Sequence, residues 1–376
     1  MNIVFVYTKQ ADSASGGIQR ITVLTLEALR ARGHRCFYLQ DTSNLVFYDN
    51  RAVVNVRDFF VNNEIDVIVQ QHPYPGCVVR CLQEHRLNIP FVVVWHTAPV
   101  SIQKSWRVAW SQKYNLNGRI KRFFRVALFP WFAWKESNRF YRSWKSLLPL
   151  VSRVVVLSES FFEDFEKLLP SCKHKLVAIP NFLSFDKNIS MEEMAKKEKM
   201  VLVVARMKEQ QKKISFVFKI WKILQNKRVL GQWKLVLVGQ GEDAAGYQKL
   251  TKKMNLKQVE FVGKQDSLPY YRKASIFMMT SAFEGWGLTL TESLQMGVVP
   301  IAMDSYKSLR DILTDGKNGI VVPYGDICRF AEKMQELMND SELRERLARQ
   351  GIQSSLQFSR GIVIDRWENL FISLIK

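Results

Sequence analysis

At 376 residues the chain is long for one hydrophobic core, and two domains are expected. Its 47% hydrophobic and 24% charged residues rule out a disordered chain, and five cysteines in no ligand-like spacing argue against a disulfide framework or a zinc site. The net charge of +20 calls for an anionic partner, and its placement narrows the choice: residues 101–150 hold 11 Lys or Arg against one acid, Glu136.

In chain order, "MNIVFVYTKQ" is a short apolar run with no basic leader or cleavage site, and reads as a first strand rather than a signal peptide. "SASGGIQR" then places Gly16 and Gly17 before an amphipathic stretch, "IQRITVLTLEALRARG", that closes on Gly33. "HRCFYLQ", "IDVIVQQ", "PFVVVWH", "RVVVLS" and "KLVAIP" read as further strands, with His72 and His96 just past two of them. The uncharged run "VALFPWFAW" is about half the length a membrane span needs, so no bilayer crossing is expected. The polar stretch "SFDKNISMEEMAKKEKM" (184–200) breaks the rhythm and reads as a linker. Beyond it come "MVLVVAR", "WKLVLVG", "VEFVG", "SIFMMTS", "VVPIAMD" and "GIVVP".

Near-continuous apolar strands alternating with helices predict an α/β protein with parallel sheets covered on both faces. The expected architecture is two doubly wound Rossmann-like domains facing across a cleft. They would span residues 1–185 and 186–360, with a last helix, 361–376, packing back on the first domain.

Open sheets of this kind bind ligands beyond the carboxyl ends of their strands, so the turns there are read for chemistry. After "SIFMMTS" come Glu284, Gly285, Trp286, Gly287 and Leu288, then a helix carrying Glu292. The glycines permit close backbone approach, and a helix N-terminus offers free N–H groups to an anion. Two carboxylates eight positions apart suit the hydroxyls of a sugar and a ribose, whereas either alone could be a solvated surface acid. Arg206, Lys212 and Lys213 follow "VLVVA" as candidate cations for a diphosphate, although a solvated basic loop would read the same way. Gly239 and Gly241 end one strand, Val262 and Gly263 another, each pair also readable as a plain tight turn. "SGGIQR" is not G-x-G-x-x-G, no P-loop sequence occurs, and no D-x-D is present to suggest a metal. His96, and less so His72, are candidates by position, though a lone histidine is more often structural.

These elements resemble the retaining, bacterial-type glycosyltransferases of the GT4 family, which have the GT-B fold. "EGWGLTLTES" resembles the family's E-x7-E element, "ARMKEQQK" its donor-site Arg and Lys, "VGQGE" its glycine turn and "SGGIQR" its N-terminal glycine loop. The resemblance implies that Glu284 contacts the donor sugar and Glu292 the ribose, while Arg206 and Lys212 hold the diphosphate and Gly17 lets the backbone approach it. It also implies that residues 261–263 lie near the base and that His96 contacts the transferring sugar. The Arg-to-Lys gap is one residue longer than in many members, which leaves Lys212 and Lys213 both eligible, with Lys212 favoured. The implied substrate is a UDP- or GDP-linked sugar, with no cofactor and no metal. The implied reaction is same-face transfer to an acceptor hydroxyl with retention, completed by closure of the two domains.

The segment 101–150 also holds 12 aromatic residues. Trp and Tyr favour the headgroup region and cations are drawn to anionic lipid, so a membrane surface is the expected partner, with Trp106, Trp110, Phe123, Phe124, Trp131 and Trp134 as anchors. A helical hairpin burying those aromatics in the core is the competing explanation. A lipid-linked saccharide acceptor, a place in cell-surface polysaccharide or lipopolysaccharide assembly and a cytoplasmic, membrane-peripheral location follow as expectations. A nucleic-acid-binding protein would account for this segment but not for the Glu284–Glu292 turn. A silent scaffold, an epimerase or a phosphorylase of the same fold would each share parts of the pattern.

Overall fold

The computed structural model describes residues 1–8, 16–41, 47–49, 52–72, 76–85, 87–98, 128–135, 138, 141–142, 144–145 and 147–375. Contacts divide the chain into two compact units: Met1–Asn181 with Arg360–Lys376, and Phe182–Ser359.

The first unit is built on β1 (Asn2–Tyr7), β2 (Arg35–Asp41), β3 (Phe47–Asp49), β4 (Ala52–Val54), β5 (Val67–Gln70), β6 (Phe91–Trp95), β7 (Arg153–Val156) and β8 (Leu176–Ala178), in sheet order β4-β3-β2-β1-β5-β6-β7-β8. The run from β2 to β8 is parallel, while β3 and β4 add an antiparallel edge. That edge was not anticipated, because its two strands are only three residues each. Ile3–Val6, Val67–Val69 and Phe91–Trp95 are all essentially inaccessible, as strands covered on both faces must be. The helix Arg360–Ile375 belongs to this unit, where Arg32 bridges Asp365 and Glu368 at 2.6 and 2.7 Å and His34 meets Glu368 at 2.8 Å.

The second unit carries β9 (Glu198–Val204), β10 (Lys234–Val238), β11 (Val259–Gly263), β12 (Ala274–Met279), β13 (Val299–Asp304) and β14 (Ile320–Pro323), all parallel, in order β11-β10-β9-β12-β13-β14. Every strand run quoted from the sequence is a strand here. The stretch 184–200 differs from its reading as a linker, because it is packed into this unit. Phe185 and Ile189 are buried, Gln295 bonds the backbone of Phe185 in both directions, and Ser190 with Glu193 forms a capping box on the helix Met191–Ala195. A few apolar anchors in a polar stretch sufficed to fold it.

Each sheet has one point where the strand order reverses. In the first unit the chain runs outward from β1 to β4 and then returns to β5 on the other side of β1; in the second it runs from β9 to β11 and returns to β12 beside β9. The loops leaving β1 and β5, and those leaving β9 and β12, therefore diverge and open a crevice at the strand carboxyl ends.

Candidate active site at the reversal of the second sheet

The loops after β9 and β12 are tied to each other before any ligand is considered. The Ala282 N–H donates to the Gln211 carbonyl at 2.7 Å, and the Thr280 hydroxyl donates to the carbonyls of Lys212 and Lys213 at 2.9 and 3.1 Å. These bonds bring side chains more than seventy positions apart in sequence into one cluster. Lys212 Nζ donates to Glu284 Oε1 at 2.5 Å, and Gln211 Nε2 to Glu284 Oε2 at 3.2 Å. The pair is largely withdrawn from water, with side-chain exposures of 17% for Lys212 and 10% for Glu284. It is Lys212 that reaches Glu284. Lys213 adopts a left-handed conformation (φ 49°) as it starts the helix Ile214–Asn226. A small cavity between the two strand ends is lined by Ala205, Lys212, Thr280, Ser281 and Thr289. Arg206, in the same loop, is exposed.

Past Glu284 the chain turns at Gly287 (φ +97°) into the helix Leu288–Gln295, whose first N–H groups have no intrahelical acceptor. A Cβ at Gly287 would lie 2.8 Å from the Tyr306 hydroxyl, so only glycine fits both the dihedral and the space. Tyr306 is buried directly beneath the turn, and burial followed by the charge of Glu284 pushes its phenol well above the usual range. The loop after β13 thus forms a floor: Ser308 Oγ donates to the Gly285 carbonyl at 3.0 Å and Ser305 Oγ to the Ser281 carbonyl at 2.5 Å.

The remaining candidates fall into place unevenly. Glu292 is buried within the helix, at 3% exposure, in the same unit as Glu284. Trp286 is also buried; its ring stands edge-on to Phe358 at 5.1 Å and its Nε1 has no acceptor among the described residues, so this side chain packs the unit while its backbone belongs to the turn. Gly239 and Gly241 answer a packing demand, since a Cβ would lie 2.0 Å from the Ala205 carbonyl at one and 2.4 Å from that of Met207 at the other. They let β10 run on beside β9 through the bonds Ala205 N–H to Val238 O and Met207 N–H to Gln240 O, both 3.0 Å. At Gly263 (φ +74°) a Cβ would meet nothing, and with Val262 it ends β11 partly exposed.

Gly16, Gly17 and His96 lie in the first unit. The two glycines open the helix Gly17–Ala31 after β1, and His96 follows β6, its Nε2 2.6 Å from Gln71 Oε1. Burial lowers the pKa of both His72 and His96 to about 4. Among the membrane candidates, Trp131 and Trp134 are 57% and 62% exposed on the helical residues 128–135, and Trp106, Trp110, Phe123 and Phe124 lie outside the described residues. Trp144, from the same segment, is instead buried against Trp95. A larger cavity in this unit opens at the opposite, amino ends of β5–β7, but its Lys175 already donates to the carbonyls of Leu148 and Val151.

Gln211, Thr280, Tyr306 and Ser308 escaped the sequence reading. Each follows a strand, which was the one available signal; what they touch depends on strand order, which the sequence does not state.

Residues 184–354 match the family model described as Glycosyl transferases group 1. The chain is 29% identical over 178 residues to the amylovoran biosynthesis glycosyltransferase AmsD of Erwinia amylovora, covering 47% of this chain and 49% of that protein. It is 25% identical over 244 residues to an alpha-1,4-N-acetyl-D-galactosaminyltransferase of Campylobacter jejuni named for an undecaprenol-linked saccharide, covering 63% and 66%. The matched part of the chain thus spans about half of the first relative's own length. Among solved structures, Anabaena HepE in complex with UDP and glucose matches with a TM-score of 0.71 at 14% identity, covering 99% of this chain and 100% of that one. Residues 184–354 are thus similar to the glycosyl transferases group 1 family, and by its whole-length likeness to solved structures the chain as a whole has the GT-B fold.

Proposed function

We propose that the chain is a retaining hexosyltransferase that takes a UDP- or GDP-linked sugar as donor and a saccharide, lipid-linked, as acceptor, in cell-surface polysaccharide or lipopolysaccharide assembly. The observation that carries this reading is the Lys212–Glu284 pair at the β9–β12 reversal, beside a helix N-terminus held open by Gly287. An ammonium has three donors, of which Glu284 takes one, and a carboxylate has acceptor capacity beyond the bonds from Lys212 and Gln211. The cluster therefore suits a ligand that is anionic at one end and hydroxylated at the other. Relatives named for amylovoran biosynthesis and for an undecaprenol-linked saccharide, and a similar fold complexed with UDP and glucose, support the choice of ligand.

In the proposed reaction the bond from the sugar's anomeric carbon to the diphosphate oxygen breaks, and a bond to the acceptor oxygen forms on the same face. The acceptor's proton passes to the departing phosphate. Arg206 and Lys212 stabilise the growing negative charge, the N–H groups from Gly285 to Leu288 add to it, and Glu284 orients the sugar through a hydroxyl. Glu292 reads the ribose, with residues 261–263 near the base and Gly16 and Gly17 near the diphosphate. The absence of D-x-D supports a metal-independent reaction in which the two cations do this work, and turnover that survives EDTA is its test.

The exposed Trp131 and Trp134, with Lys135 Nζ 5.3 Å from the Trp131 ring centre, support docking on the anionic inner face of the cell membrane. Among the described residues no helix is long and apolar enough to cross a membrane. Trp131→Ser with Trp134→Ser should release the protein from anionic vesicles without lowering its melting temperature. Unaltered partition, or retention on RNA instead of vesicles, would sink the membrane assignment.

A panel of UDP- and GDP-sugars tests the central claim. One of them should raise the melting temperature and be turned over with retention; no stabilisation by any member would reject it.

A further inference from the structure

Outside the cluster on the second unit, the carboxyl edge of the first sheet carries a group of polar side chains built on amides and imidazoles. Gln70 and Gln71 are 0% and 3% exposed at the end of β5, and each bonds a histidine. Gln70 Nε2 lies 2.5 Å from His72 Nε2, and Gln71 Oε1 lies 2.6 Å from His96 Nε2. An amide nitrogen only donates and an amide oxygen only accepts, so the two contacts impose opposite demands on the rings. His72 Nε2 must accept, which puts the proton of a neutral ring on Nδ1. His96 Nε2 must donate, which leaves Nδ1 with a lone pair.

We infer that Gln70 and Gln71 hold His72 and His96 in opposite neutral tautomers, and that Gln71 thereby makes His96 Nδ1 an uncharged acceptor for a saccharide hydroxyl. Three observations support the assignment. Both rings stay neutral near pH 7, since burial lowers each pKa to about 4. Among the described residues His96 Nδ1 has no hydrogen-bond partner, so its lone pair is available. The cluster also stands beside the β1–β5 reversal, where a doubly wound sheet receives ligands: Gln71 N–H donates to the Val6 carbonyl at 2.8 Å, and the His72 ring lies 6.2 Å from that of Tyr7.

A neutral acceptor and a charged donor differ in what they select. An imidazolium would favour phosphate or carboxylate, whereas a fixed lone pair requires a group that brings a proton, as a sugar hydroxyl does. A site built around one such bond discriminates strongly against an analogue lacking the hydroxyl. Gln71 is here a positioning residue acting through His96. The saccharide half of the inference rests on the transferase reading; the tautomer half does not.

The experiment is nitrogen NMR on the full chain labelled at histidine, where five histidines allow assignment by single substitution. The expected result is His72 protonated on Nδ1 and His96 on Nε2 at pH 7. Gln71→Met should release the His96 proton from Nε2 and leave His72 unchanged. The same tautomer at both rings, or an imidazolium at His96, would overturn the inference without any substrate being involved. Next, UDP-glucose, UDP-N-acetylglucosamine and GDP-mannose are added in turn. Whichever raises the melting temperature should also shift the His96 Nδ1 resonance, and binding without that shift overturns the hydroxyl assignment. If none binds, the transferase reading is what fails, and the tautomers are still decided. With a substrate in hand, Gln71→Met should lower kcat by roughly 10- to 100-fold with KM little changed, in step with the loss of the Nε2 proton signal at His96; an unchanged kcat would remove Gln71 from the positioning role.

Discussion

The two sheets reverse their strand order in the same way, yet the two reversals are furnished with opposite chemistry. After β9 and β12 the side chains are charged and paired, Lys212 with Glu284, over a floor of hydroxyls from Tyr306 and Ser308. At β5 and the neighbouring β6 they are amides and neutral imidazoles, Gln70 with His72 and Gln71 with His96. The fold supplies a crevice in both cases and says nothing about what enters it. The difference lies in desolvation. A buried ion pair is kept where each charge has its partner, whereas burial drives the two imidazoles to their neutral form.

The contrast is broken most severely by removing the charge at its centre. Glu284→Ala should lower transfer by about 10³-fold or more while leaving nucleotide binding largely intact, as read by steady-state kinetics beside calorimetry. Unchanged turnover would remove Glu284 from the mechanism. The rigidity of the charged half can be tested through its glycines. Gly239→Ala drives a Cβ to 2.0 Å from the Ala205 carbonyl and should cost about 3 kcal/mol or more, while Gly263→Ala faces open space and only a strained φ of +74°, for about 1 kcal/mol. Denaturant midpoints that do not separate the two variants would show that the loop after β10 yields easily.

Arg206→Ala with Lys212→Ala should weaken nucleoside-diphosphate binding by roughly 10²-fold, since charge-assisted bonds are lost at both positions. Equal affinity would leave the diphosphate without its clamp. The neutral half sharpens the comparison through pH. His72 and His96 titrate near 6.5 when unfolded and at about 4 when folded. Between these values the unfolded chain binds more protons, so their contribution is intact above about pH 6.5 and is lost as pH falls through 4. The loss is on the order of 3 kcal/mol per histidine. Urea unfolding at pH 7 and pH 4.5 should show a steeper fall than in a His72→Gln, His96→Gln variant; parallel slopes would mean that the rings are not held neutral.

Much of this molecule could be read without coordinates, for identifiable reasons. A strand buried on both faces must be apolar nearly throughout, so "NIVFVY" and "SIFMMTS" announce themselves, and the positions just past them mark the chemistry. The glycines were legible as necessary but not as to why: Gly239 and Gly241 are demanded by the neighbouring backbone at Ala205 and Met207. Lys212 and Lys213 were both eligible in the sequence, with Lys212 favoured; the physical reason lies in the left-handed turn at Lys213, which directs Lys212 toward Glu284.

What the chain determined by itself is local: alternation of strand and helix, the glycine turn after β12, and residue types suited to phosphate and hydroxyl at the strand ends. Those follow from hydrophobic periodicity and backbone sterics, which act over a few residues. Tertiary structure alone decided the pairings that make those residue types into sites. Gln211 and Lys212 meet Glu284, Tyr306 underlies Gly287, and Gln71 orients His96 only because strand order brings distant loops together, and desolvation there then fixes which groups keep their charge.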